Sequence, residues 1–168
     1  MPTVTNQPPE KAWVESWSRE FPTAVENRFG AGRCIYFANQ PDQNNYDMGH
    51  PDVRLLLERA VRHLAGDTLP IAASTAPTTV HVGLTRSLVA PGEFILSFVN
   101  TTSGPVRPLR ELLPVFDFAV TLRLGGTLAA HRVLRAQGTC GVTTDADLVR
   151  VRLARLDDFC AVHLRIML

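Results

Sequence analysis

From about residue 67 to the end of the chain, apolar residues recur at every second position, and this alternation constrains the fold more than any other feature. "TTVHVGLTRS" puts Val80, Val82 and Leu84 on one side, and "EFILSFVN" does the same with Phe94, Leu96 and Phe98. "FDFAVTLRL" aligns Phe116, Phe118, Val120, Leu122 and Leu124; "LVRVRL" aligns Val149, Val151 and Leu153; "FCAVHLRIML" aligns Cys160, Val162, Leu164, Ile166 and Leu168. Side chains of a strand point alternately to its two faces, so each run reads as a strand with one buried face. Turn residues in "APGE", "LGGT" and "TTDAD" separate the runs, and short strands at this spacing predict a small antiparallel sandwich over 67–168. "VNTTSGPVRPLRELLPV" (99–115) is a longer loop whose prolines forbid a central strand.

Ahead of the sandwich the period is helical. In "PDVRLLLERAVRHLAG" (51–66), Val53, Leu56, Leu57, Ala60, Val61 and Leu64 share one face. Pro51 suits the first turn, Asp52 complements the helix dipole, Gly66 suits the exit, and Glu58 with Arg62 makes an i,i+4 pair on the polar face. "TAVENRF" (23–29) and "RCIYFAN" (33–39) read as strands. Gly30 and Gly32 lie between them rather than between a strand and a helix, and no Lys-Ser/Thr pair follows, so they make a hairpin turn and not a phosphate loop. "NQPDQNNYDMGH" (39–50) reads as a polar loop, and Trp13, Trp17 and Phe21 recur at helical spacing in the proline-rich start.

Bulk properties exclude several classes of function. With 17 basic and 16 acidic residues the net charge is +1, so no overall field draws the chain to nucleic acid or to an anionic membrane. No apolar run approaches the roughly 20 residues of a membrane span, and no export signal is seen, so a cytoplasmic location is expected. Cys34, Cys140 and Cys160 lack CxxC spacing and sit in or beside apolar runs; they read as buried thiols rather than a zinc site or a disulfide framework.

The order of motifs resembles the C-terminal part of bacterial glycoside-hydrolase-like proteins that carry a β-galactosidase-type trimerisation domain. The likeness runs over about 23–168. It rests on Gly30, Ala31, Gly32, Arg33, Tyr36 and Phe37, on Gly49, His50, Pro51 and Asp52 before the helix, and on Asn100, Thr102, Arg107, Pro108, Pro114, Val115 and Asp117. Ala31 stands where the family has lysine. The resemblance implies an α+β chain: residues 1–66 as the terminal strands and helix of a flavodoxin-like domain, related to class I glutamine amidotransferases but without their catalytic residues, followed by an antiparallel β-sandwich over 67–168. It implies that the catalytic barrel and the first flavodoxin-like strands lie outside this chain, which would make it a fragment. The apolar face of helix 51–64 would then be open where those strands belong.

No catalytic, cofactor-binding or metal-binding residue is therefore assigned, and no cofactor is expected. Glycoside hydrolysis usually needs two carboxyl groups flanking the bond. Asp42, Asp47, Asp52, Asp117, Asp157 and Asp158 are the candidates; Asp42 and Asp47 share their loop with His50, an arrangement able to hold a metal or a sugar that caps and turns also explain. His81 and His163 fall one step out of phase with the apolar faces, on the outside of the sheet; His63 neighbours the helix stripe and His131 follows a Gly-Gly turn. The expected function is that of a non-catalytic accessory and assembly region acting in carbohydrate metabolism. It would self-associate or pack against a catalytic domain, and it is not an enzyme by itself. The alternative is a small carbohydrate-binding module with Trp13, Trp17, Tyr46 and Phe116 as stacking residues.

Overall fold

The structure, a computed structural model, describes residues 22–38, 40–49, 51–103 and 111–167. The chain forms two compact units that meet in sequence between Thr68 and Leu69.

In the first unit, β1 (Ala24–Phe29) and β2 (Gly32–Phe37) pair antiparallel from Ala24↔Phe37 to Phe29↔Gly32. The turn between them starts at Gly30 with φ 58°, the left-handed region where a side chain would be strained. The 39–50 stretch holds a helix, α1 (Pro41–Met48), where a loop was expected. Pro41 occupies its first turn, Asp42 faces the positive end of the dipole, and Gly49 closes it at φ 63° with its N–H donating to the Asn45 carbonyl at 3.0 Å. Nothing in "PDQNNYDM" has apolar periodicity, so only its capping residues signalled a helix.

Helix α2 (Pro51–Ala65) follows and ends in a 3-10 turn over Gly66–Thr68. Glu58 and Arg62 pair at 2.9 Å. Of the expected stripe, Val53 is buried and Leu56, Leu57, Ala60 and Leu64 are half-buried. Val61 is 55% exposed, so the stripe is covered only in part. Polar contacts fasten the hairpin to the helix: His63 Nε2 lies 3.0 Å from Glu26 Oε2, and Arg33 Nη2 donates to the His63 carbonyl at 2.9 Å.

This arrangement overturns the flavodoxin-like assignment. A flavodoxin-like sheet is parallel and covered by helices on both faces. Here β1 and β2 are antiparallel and, among the described residues, form a two-stranded sheet. The chain is mostly β, with antiparallel sheets forming a sandwich, rather than α+β.

The second unit is that sandwich. Its strands are β3 (Ile71–Ser74), β4 (Val80–Arg86), β5 (Glu93–Asn100), β6 (Val115–Arg123), β7 (Thr127–Arg135), β8 (Cys140–Asp145), β9 (Leu148–Leu156) and β10 (Phe159–Met167). One sheet runs β4-β5-β10-β7 and the other β3-β6-β9-β8, every pair antiparallel. The inward residues of β5, β6, β9 and β10 meet as one core, with Leu96, Phe98, Val120, Leu122, Val151, Val162 and Leu164 fully buried. Phe98 and Phe118 bridge the two sheets edge to face, with ring centroids 5.6 Å apart. Such a pair adds about 0.5–1.5 kcal/mol beyond its buried area.

One inward expectation fails. Phe116 belongs to the phase of Phe118, yet it is 59% exposed. Asp117 between them has φ 49°, and the burial phase reverses there on both paired strands: Val115 and Leu156 turn inward while Phe116 and Arg155 turn out. The step of two that orders a strand cannot register a residue in left-handed backbone.

Candidate functional site

Among the described residues, an acid, an imidazole and a guanidinium converge on the outer face of the β4-β5-β10-β7 sheet. Register places them there: Arg165 pairs with Glu93 and His163 with Ile95, so these four side chains rise on one side of neighbouring strands. Glu93 Oε1 accepts from Arg165 Nε at 2.6 Å, and its Oε2 faces His163 Nε2. The Arg165 hydrogen bond, and with it the contact to His163, holds the Glu93 carboxyl below the ordinary carboxylate value. Beside the cluster an open cleft of about 430 Å3 is lined by Thr85, Arg86, Ser87, Ala90 and Ile95.

The loop that forms this rim is built by close approach. The Ser87 N–H donates to the Glu93 carbonyl at 2.9 Å, the Ala90 N–H to Ser87 Oγ at 3.0 Å, and the Ile166 N–H to the Gly92 carbonyl at 2.8 Å. Gly92, at φ 83°, lies so near the Ile166 carbonyl that a Cβ would collide with it. Chemically the cluster is an acid whose Oε1 accepts from the Arg165 guanidinium and whose buried Oε2 faces the His163 imidazole. A carboxyl held anionic this way is a poor general acid at neutral pH, because such an acid works best with a pKa near the operating pH. It can orient Arg165 and His163 toward polar groups in the cleft.

A second cluster occupies the outer face of the β3-β6-β9-β8 sheet. Asp117 Oδ1 accepts from Arg152 Nη2 at 3.0 Å, the Arg155 guanidinium carbon sits 5.9 Å from the Phe116 ring centroid, and Arg155 Nε donates to Asp157 Oδ1 at 2.6 Å. Asp117 and Arg152, with Thr139, Gly141 and Ala154, line a shallow hollow of about 300 Å3. The reversed phase at Asp117 thus puts the Phe116 ring and Arg155 on the outside, beside Arg152, which the ordinary alternation of β9 already places there.

The carboxylates considered from sequence are dispersed. Asp42 and Asp47 are exposed on α1, and five positions on a helix turn them about 140° apart. Asp52 is exposed in the first turn of α2. Asp158 takes Arg135 at 2.7 Å and also Gln137, fastening the β9–β10 turn. Trp13, Trp17, Phe21 and His50 lie outside the described residues; Tyr46 is exposed on α1. His81 and His131 are exposed. Among the described residues, no group of three or more His, Cys, Asp or Glu side chains is placed to hold a metal ion, and no helix is long and apolar enough to cross a membrane.

Cys160 is buried and Cys140 half-buried, but Cys34 is exposed, contrary to the buried reading. Glu93 and Arg165 escaped the sequence reading altogether. Each stands alone in its run, and only the strand register joins them.

No family model matches the chain, and no curated protein matches it. Among solved structures it is similar to α-L-fucosidase isoenzyme 2 from Paenibacillus thiaminolyticus, at 16% identity and a TM-score of 0.67. The match covers 99% of this chain and 26% of that one, so the chain spans about a quarter of the length of the enzyme it matches. At this identity the likeness is one of fold, and the fold is one found in a glycoside hydrolase.

Proposed function

We propose that the chain is a non-catalytic accessory and assembly region of a glycoside-hydrolase-like protein, acting through packing and oligomer contacts. The likeness to part of an α-L-fucosidase supports the setting. The observation that carries the assembly reading is the outer face of the hairpin, where Val25, Phe29, Cys34 and Tyr36 are all exposed. Contiguous apolar faces of this kind mark interaction surfaces. On the other side of the same unit, Ala24, Ile35, Phe37, Leu55, Leu56 and Ala60 line an open groove of about 450 Å3, which adds further contact surface. Sedimentation velocity on the purified chain tests this reading. Self-association that weakens in Tyr36→Glu is expected; a monomer at every concentration, for both proteins, contradicts it.

A second reading, a carbohydrate-binding module, is favoured by the exposed Phe116 ring with Asp117 and Arg152 beside it. Aromatic faces supply sugar platforms with hydrogen-bonding groups at their rim. Titration calorimetry against a panel of oligosaccharides decides it: saturable heat that disappears in Phe116→Ala would replace the assembly reading with this one.

A further inference from the structure

The sandwich carries two thiols on different sheets at the same corner of the molecule. β7 ends at Arg135, which pairs with Ala161 of β10, so Cys160 lies beside the end of β7. Only residues 136–139 separate that point from Cys140, which opens β8 on the opposite sheet. Cys160 belongs to the core cluster, and Cys140 packs against that cluster from the other sheet. Cys140 is half-buried on an edge strand, which leaves it open to a reagent; Cys160 is fully buried behind it.

We propose that Cys140 and Cys160 are a redox-active pair that closes into a disulfide between the two sheets when a small-molecule disulfide oxidant is present. Their settings divide the roles. Cys140, half-buried on an edge strand, is the thiol a reagent reaches, and the neighbouring Cys160 favours its thiolate, while the neighbouring Cys140 and burial keep Cys160 protonated. Cys140 sulfur attacks the oxidant RSSR, forming a mixed disulfide and releasing one thiolate, RS−. That thiolate takes the Cys160 proton, and the Cys160 sulfur then attacks Cys140, expelling the second RS−. Two protein thiols are oxidised and one RSSR is reduced to two thiols, so electrons balance. A bridge here joins β8 to β10 and shuts the corner of the sandwich at the turn after β7.

The test uses the full chain with Cys34→Ser, which removes the exposed thiol of the first unit, in oxidised glutathione. The expected result is a mass loss of about 2 Da, a non-reducing peptide map linking Cys140 to Cys160, and a Tm raised by on the order of 10 °C that dithiothreitol reverses. A stable glutathione adduct on Cys140 without closure, no reaction of either thiol in the folded chain, or a bridge that leaves Tm unchanged or lower would each overturn the proposal. Cys140→Ser in the same background should show neither bridge nor adduct; bridging or adduct formation there would overturn it as well.

Discussion

Asn100 Nδ2 donates to the Leu113 carbonyl at 2.8 Å, tying the end of β5 to the approach of β6 across the proline-bearing loop. The same amide donates to the Asp157 carbonyl at 2.7 Å, and Asn100 Oδ1 accepts from the Thr102 N–H at 3.0 Å. Thr102 completes the clamp, its Oγ1 accepting from the Leu113 N–H at 2.8 Å. The Asn-x-Thr motif that contributes to the family resemblance is thus a structural knot joining three chain segments.

Removing that knot should be costly, because Asn100 is the buried polar residue of the described sandwich and its partners are main-chain groups with few alternatives. Asn100→Ala is expected to lower stability by about 2–3 kcal/mol in urea unfolding. Asn100→Asp should be at least as damaging, since a carboxylate cannot donate to two carbonyls.

The phase reversal at Asp117 predicts opposite fates for two neighbouring phenylalanines. Phe118→Ala empties a core site and should cost about 3–5 kcal/mol. Phe116→Ala removes an exposed ring and should stay within about 1 kcal/mol. Equal losses in paired denaturation curves would show that Phe116 is packed inward.

Glu93 makes stability depend on pH in a defined direction. Its folded-state pKa lies below the ordinary 4.5, so its partners favour the charged form. That contribution is fully present above the unfolded value and is lost as pH falls through the folded one. Wild type should therefore be more stable than Glu93→Gln at neutral pH, with the gap closing as pH drops below 4.5. Thermal melts of both proteins across that range give the measurement.

Two glycines in left-handed backbone should respond differently to alanine. Gly30, at φ 58°, has open space around it, so Gly30→Ala should cost only the backbone strain of about 1–2 kcal/mol. Gly92→Ala adds a collision with the Ile166 main chain and should cost more, with a drop in Tm that Gly30→Ala does not reach.

The central strands were legible because one covered and one open face leave a clear alternation, as in β5, where Phe94, Leu96, Phe98 and Asn100 are buried and the residues between are not. β3, β7 and β8 were not recognised. They sit at sheet edges, and β7 is exposed at nearly every position, so burial never imposed a period on "TLAAHRVLR". α1 was hidden for the same reason, having end signals without an apolar stripe. The hairpin, with its glycine turn, and α2 were read correctly as elements, but the family resemblance placed them in a flavodoxin-like sheet that the structure does not have. The Glu93 cluster is a product of register between β5 and β10, and Phe116 was misplaced by a single positive φ at Asp117.

The most direct measurement of the account is turnover of chromogenic galactosides and fucosides by the purified chain, run beside Glu93→Gln. An accessory region that works by contact should release no chromophore above the uncatalysed rate in either protein. Turnover by wild type that vanishes in Glu93→Gln would contradict it, and would make the outer face of the β4-β5-β10-β7 sheet an active site.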